Sequence, residues 1–208
     1  MPTLLHLDSS PTGDHSVSRA LTAEFVKNWK AANPGGTVIT RDLTTTSLKP
    51  VDGQWIGAAY TPADSRTAEQ KAVLALSDTL TGELFTADEF VFGVPMHNFS
   101  VPSTFKLWID QIARVGVTFA YPDGKPVGLL TGKKAHFFIA TGGAYGPDSP
   151  TAAYNFVEPY LLSVFGFLGV IDVTFQSAYG AAALNYGADR AQFLAPQLAA
   201  IQARFATA

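Results

Sequence analysis

Apolar positions along this chain fall into two rhythms, and their alternation outlines an architecture. Thr3 to Leu7 is a short apolar run that empties into Asp8-Ser9-Ser10-Pro11-Thr12-Gly13, the pattern of a buried strand followed by a loop. From Ser18 the apolar residues Leu21, Phe25, Val26 and Trp29 recur at helical spacing until Asn33-Pro34-Gly35-Gly36 stops them. Thr37 to Arg41 reads as a second strand, and Leu74, Leu76, Leu80 and Leu84 mark a helix. Residues 43 to 66 mix turn and helix signals and resolve into no single element. Glu89 to Val94 is a third strand. The next helix carries Phe105, Leu107, Trp108, Ile109 and Ile112 and ends near Gly116. Val117 to Tyr121 and Val127 to Leu130 flank Pro122-Asp123-Gly124 as a hairpin excursion near residues 117–130. A fourth strand spans Ala135 to Ala140, a helix runs from Thr151 to about Leu168, and a fifth strand covers Val170 to Phe175. The last helix extends from about Ala188 to Phe205.

Strands that alternate with helices need right-handed crossovers. The expected α/β fold is therefore a five-stranded parallel sheet with helices on both faces, and the strand order that suits five is 2-1-3-4-5. No repeat, linker or low-complexity segment divides residues 1–208, so one domain is expected.

Composition narrows the partners. A net charge of −3 with 15% charged residues favours neither nucleic acid nor an acidic lipid surface, while 47% hydrophobic residues leave apolar surface for an oligomer to cover. Cysteine is absent, which excludes disulfides, thiolate metal sites and cysteine nucleophiles. The start MPTLLHLDSSPT carries no basic leader, and no run approaches the roughly 18 apolar residues of a membrane span. The expectation is a cytoplasmic protein with no membrane partner.

In a sheet of this order ligands bind beyond the carboxyl ends of the strands, where strands one and three diverge. Three loops meet that description. The first carries Ser9, Ser10, Ser16 and Ser18, and Ser16-Val17-Ser18 leads directly into a helix, whose unpaired N–H groups and serine hydroxyls suit a phosphate. Arg19 is the cation nearby; the plainer alternative is that Ser16 or Ser18 simply caps the helix. The second, Pro95 to Ser103, is stiffened by Pro95 and Pro102, so its backbone can hold fixed donors and acceptors against a flat heterocycle, with Met96, Asn98 and Phe99 beside them. It also reads as an ordinary strand-to-helix connection. The third, Thr141 to Gly146, brings Gly142 and Gly143, which let backbone approach a ligand. No G-x-G-x-x-G follows strand one, and Gly128 to Lys134 is not a P-loop. Asp14-His15-Ser16 invites a hydrolase reading, but neighbours in a loop do not form a triad by adjacency. His6 and His136 read as structural, and the four histidines show no metal-ligand spacing. Phosphate donors, a rigid edge-reading loop and a glycine pair at one sheet edge together suggest flavin mononucleotide (FMN).

Ser9-Ser10 with Ser16-x-Ser18, Pro95-Met96-x-Asn98-Phe99, Arg114-Val-Gly-Val-Thr-Phe119, Thr131-Gly-Lys-Lys134 and Gly142-Gly143 occur in this order along nearly the whole chain. In them the sequence resembles the flavodoxin-like, FMN-dependent NAD(P)H:quinone oxidoreductases also called azoreductases. The resemblance implies a homodimer with one FMN per subunit and hydride transfer from NADH or NADPH through flavin N5 to quinones and azo compounds, in ping-pong order. Carried over by position, Ser10, Ser16, Val17 and Ser18 would hold the phosphate. Met96, His97, Asn98 and Phe99 would line the isoalloxazine, Ala140, Thr141, Gly142 and Gly143 would close its other edge, and His97, Phe99 and Tyr121 would face substrate. No side chain is expected to be strictly catalytic, and His97 is a candidate proton donor. The chain departs from the family at His97, where tyrosine is common, and at Ala140-Thr141, where some members carry Ser-Arg. The alternatives are a flavodoxin-like electron carrier or redox-responsive protein that holds FMN without NAD(P)H turnover, and a phosphoesterase using the serine loop.

Overall fold

The computed structural model describes residues 1–206. Its central parallel sheet uses β1 (Thr3–Asp8), β2 (Thr37–Asp42), β3 (Glu89–Pro95), β6 (Lys134–Ala140) and β7 (Asp172–Ala178) in the order β2-β1-β3-β6-β7, which is the expected 2-1-3-4-5. The remaining strands, β4 (Phe119–Ala120) and β5 (Val127–Gly128), form the antiparallel hairpin, shorter than expected at two residues each.

Alternation along the strands divides the core between the two faces. On one face Leu5, Leu7, Phe90, Phe92, Val94 and Phe137 pack against α3 (Ala68–Thr86), α4 (Ser103–Ile112) and α5 (Val157–Leu168). On the other, Leu4, Val91, Phe138 and Ala178 meet α1 (Val17–Ala32) and α6 (Arg190–Phe205). Phe92 is the hub of the first layer, with ring centroids of Phe137 at 4.9 Å, Phe165 at 5.1 Å and Trp108 at 5.6 Å. β3 thus packs on both faces, through Phe90, Phe92 and Val94 on one and Val91 on the other.

Four expectations need correction. Residues 43 to 66 contain α2 (Gly53–Tyr60), held by an Asp52 side chain that accepts from the Trp55 N–H at 2.8 Å; with glycine at 53 and 57 and only Trp55, Ala58 and Ala59 buried, its period is too short to read. The helix expected from Thr151 starts at Val157, after a 3-10 turn at Ala152–Tyr154. Pro159 explains this, because a proline belongs in the first turn of a helix rather than its interior. The fifth strand, β7, starts at Asp172 rather than Val170, whose N–H turns back to the Phe165 carbonyl at 2.9 Å behind the Gly169 cap of α5, and it runs three residues past Phe175 to Ala178, where polar Gln176 and Ser177 are tolerated at the half-buried edge of the sheet. The last helix begins at Arg190 behind an Asp189 cap, and a 3-10 segment, Ala181–Tyr186, precedes it. No helix among the described residues is long and apolar enough to cross a membrane.

Candidate functional site

A cavity of about 540 Å³ opens at the carboxyl ends of β1, β3 and β6. Ser10, Ser16 and Val17 line it from the first loop, Met96 and His97 from the second, and Ala140, Thr141 and Gly142 from the third.

Ser16 is the N-cap of α1: its Oγ accepts from the Arg19 N–H at 3.2 Å and shares a hydrogen bond with Ser18 Oγ at 3.2 Å. Capping and anion binding do not compete here. The cap consumes the third N–H of the helix, while those of Val17 and Ser18, the first two, have no acceptor among the described residues. Ser18's side chain is completely buried beneath Ser16, so only its backbone is placed toward the helix end.

At the second loop the chain turns back on itself. Met96 N–H donates to the Ala140 carbonyl at 2.8 Å, and His97 and Ser100 exchange both backbone hydrogen bonds, at 2.9 and 3.1 Å. Between them Asn98 and Phe99 take positive φ values of 48° and 71°. Two successive positive φ values are the mark of a type I′ turn, which normally recruits Asn-Gly. A phenylalanine in that position is strained by roughly 1–3 kcal/mol, and such strain concentrates at functional sites. Its result is that the N–H groups of Asn98 and Phe99 have no acceptor among the described residues. Phe99 packs against Tyr145 and Tyr154, whose ring centroids lie at 6.2 and 5.6 Å.

The third loop repeats the device. The carbonyls of Thr141, Gly142 and Gly143 accept from the N–H groups of Ala181, Ala182 and Gly180, and Thr141 Oγ1 also donates to the Gly143 carbonyl at 2.7 Å. With their carbonyls tied to the 180–182 segment, the Gly142 and Gly143 N–H groups are left without acceptors among the described residues. Three loops that contribute to one cavity wall thus each carry unpaired backbone donors, those of Val17 and Gly142 on lining residues and those of Ser18, Asn98, Phe99 and Gly143 on their neighbours.

A family model described as a flavodoxin-like fold matches residues 2–205. An FMN-dependent NADH:quinone oxidoreductase of Acidobacterium capsulatum is 57% identical over 199 residues, which are 95% of this chain and 96% of that protein. The chain belongs to the flavodoxin-like FMN-dependent NADH:quinone oxidoreductase family. Solved structures agree. An azoreductase of Bacillus anthracis superposes with a TM-score of 0.87 at 27% identity, covering 100% of both chains. An FMN-dependent NADH-azoreductase from the same species, solved with FMN, gives 0.85 at 25% identity over 99% of this chain and 98% of that one.

Against the positions that the family resemblance implies, the structure brings Ser10, Ser16, Val17, Met96, His97, Ala140, Thr141 and Gly142 onto one cavity wall. Asn98, Phe99 and Gly143 continue that wall without lining the cavity, and Tyr121 stands on the hairpin, half exposed, with its ring against Phe119 at 5.6 Å. Asp14 and His15 are exposed in a 3-10 turn, and Ser16 Oγ is engaged by Arg19 and Ser18, so no triad forms. His6 lies 3.0 Å from Asp8, and His136 bridges Glu89 and Thr174 at 2.7 and 2.6 Å; both are structural.

One wall was absent from the sequence reading. Ala181, Ala182, Leu184, Asn185, Ala188 and Arg190 complete the cavity. The glycines at either end of this segment, Gly180 and Gly187, have φ of 80° and 89° and carried the only local signal.

Arg19 holds the serine loop from the other side. Its Nε and Nη2 donate to the Ser10 carbonyl at 2.9 and 2.8 Å, and Nη2 also pairs with Asp42 at 2.8 Å. The Arg19 hydrogen bond, helped by Thr44 and opposed by burial, pushes the Asp42 carboxyl from 3.8 down to about 2. A carboxyl whose folded value lies below its unfolded one stabilises the fold above the unfolded value and loses that contribution as pH falls through the folded one. Asp42→Asn should therefore differ from wild type in urea unfolding at neutral pH, and the difference should shrink as pH falls from 3.8 to about 2. A difference independent of pH over that window would disprove the coupling.

Proposed function

We propose that this protein is an FMN-dependent oxidoreductase that takes reducing equivalents from NADH or NADPH and passes them to quinones and azo compounds. The observation that carries the reading is the set of unpaired N–H groups on three loops that line one cavity: the α1 N-terminus at Val17, the Asn98-Phe99 turn next to the lining residue His97, and Gly142-Gly143, of which Gly142 lines it. The cavity lies within the roughly 300–1,000 Å³ typical of cofactor sites. The names of the relatives favour NADH as the donor.

Bound there, FMN would supply hydride chemistry, taking reducing equivalents from the nicotinamide and passing them to the second substrate in the ping-pong order that the family resemblance implies. The chain's own part is to hold and orient. Val17 and Ser18 N–H groups, with the Ser10 and Ser16 hydroxyls, anchor the phosphate. The backbone of Met96 to Phe99 fixes one ring edge. At the other, Gly142 and Gly143 N–H groups place positive dipoles where negative charge accumulates on reduction. His97, exposed on the cavity wall, is positioned to give a proton to the acceptor. Phe99, with Tyr145 and Tyr154 behind it, makes an apolar mouth for aromatic acceptors. Phe156, Leu162 and Phe167 along α5, with Ile171 and Tyr121 near its end, are exposed apolar residues that a second copy would cover in a homodimer.

Purified protein should be yellow, or become so with FMN, and NADH should bleach it anaerobically until a quinone restores the colour. A colourless protein that cannot be reconstituted sinks the flavin reading, and flavin that neither NADH nor NADPH bleaches makes the chain an electron carrier instead.

A further inference from the structure

Two arginines from distant parts of the chain grip the serine loop, and they differ in charge balance. Arg19 is neutralised: Asp42 lies at 2.8 Å and Asp8 at 3.7 Å from its guanidinium. Arg190 enters from the first turn of α6. Its Nη1 donates to the His15 carbonyl at 2.8 Å, and its Nη2 to the carbonyls of Ser16 at 2.9 Å and Asp14 at 3.4 Å. None of the ion pairs among the described residues includes Arg190. Among the residues that line the cavity it is the only lysine or arginine.

Peptide geometry turns this grip into a function. The carbonyl and N–H of one peptide unit point in opposite directions, so carbonyls drawn outward turn the following N–H groups the other way. Arg190 does this at Asp14, His15 and Ser16; of the N–H groups in those units, His15 and Ser16 donate to the Thr12 and Gly13 carbonyls, and Val17 alone has no acceptor among the described residues. Arg19 holds the Ser10 carbonyl, but the unit behind it is Pro11, which has no N–H. Arg190 additionally leaves its charge at the cavity wall in no ion pair among the described residues.

On the reading that the cavity holds FMN, we infer that Arg190 is the residue that makes the site select a phosphorylated flavin over riboflavin. It positions the Val17 donor and supplies the charge that a dianionic phosphate needs, while the ring-binding loops are indifferent to it. Arg19 shapes the loop without contributing net charge.

The test is fluorescence titration of the apoprotein with FMN and with riboflavin, in wild type, Arg190→Met and Arg190→Gln, with thermal melting as a check of folding. Wild type should prefer FMN. Arg190→Met should weaken FMN roughly tenfold or more, as loss of charge-assisted contacts implies, and change riboflavin less than about twofold. Arg190→Gln keeps one donor for the carbonyls but no charge, so the preference must fall in it too, and it decides the matter if the methionine variant melts early. Added salt should weaken FMN binding less steeply in both variants than in wild type. Equal weakening of both flavins, or an unchanged ratio, overturns the inference alone. A wild type that binds neither flavin overturns the flavoenzyme reading and this inference with it.

Discussion

Val17→Pro is expected to raise the FMN dissociation constant roughly 100-fold while costing no more than about 1 kcal/mol of stability. The substitution is unusual in removing a single backbone donor from a helix that does not need it. Val17 is the first residue of α1, where proline is well tolerated because that N–H has no partner inside the helix. The residue before a proline must be extended, and Ser16 already is, with φ −68° and ψ 132°. What the variant lacks is the N–H proposed to hold the phosphate, and a hydrogen bond to a charged group is worth about 1.5–3 kcal/mol. Val17 is also buried against the α1 and α6 layer, so some packing is lost. Val17→Ala separates the two effects: it loses more side chain but keeps the donor, and it should bind FMN within about threefold of wild type. Fluorescence titration with urea unfolding of each variant reads both quantities. Wild-type affinity in Val17→Pro would mean that the phosphate does not sit at this helix end.

Local pattern was enough for the frame. The sheet's inner strands are continuous apolar runs, because both faces are covered, and turn residues punctuate them. The site's three loops could be placed for the same reason, since strand order decides which loops share an edge. Two kinds of feature stayed hidden. One is short or tertiary structure: α2 has too few buried positions to show a period, and Arg190 lies 174 residues from the Ser16 carbonyl that it binds, so no window of sequence could pair them. The other is conformation against propensity. The prolines around the second loop announced rigidity, yet nothing in Asn98-Phe99 announces a positive φ at phenylalanine, because it is the surrounding structure, including the Phe156 N–H on the Phe99 carbonyl at 3.2 Å, that imposes it. Ser18 shows the reverse limit. Its place in a motif implied a phosphate contact, and only the structure reveals that its hydroxyl is sealed beneath Ser16.

Gly128→Ala should destabilise the protein by about 3 kcal/mol, near the upper end for overpacking, whereas Gly166→Ala, on the helix beside it, should stabilise by about 0.5–1 kcal/mol. The hairpin that carries Tyr121 docks on the end of α5 through backbone against backbone. A Cβ on Gly128 would lie 2.1 Å from the Gly169 nitrogen and 2.2 Å from the Leu168 carbonyl carbon. Neither atom can swing aside as a side chain would. Gly169 is the left-handed cap of α5 at φ 101°, and the Leu168 carbonyl accepts from the Leu130 N–H at 2.9 Å, so the contact is fixed on both sides. Gly166 meets nothing within 4 Å where its Cβ would be, and there alanine adds helix propensity alone. Opposite signs in urea unfolding would identify the close approach as the cause, since a general intolerance of this region to change would lower both. Because the hairpin must move to admit the new methyl, Gly128→Ala should also reduce quinone turnover while leaving FMN affinity within about twofold, the cavity's lining residues lying elsewhere. A variant as stable as wild type would show that the hairpin is not anchored at this point.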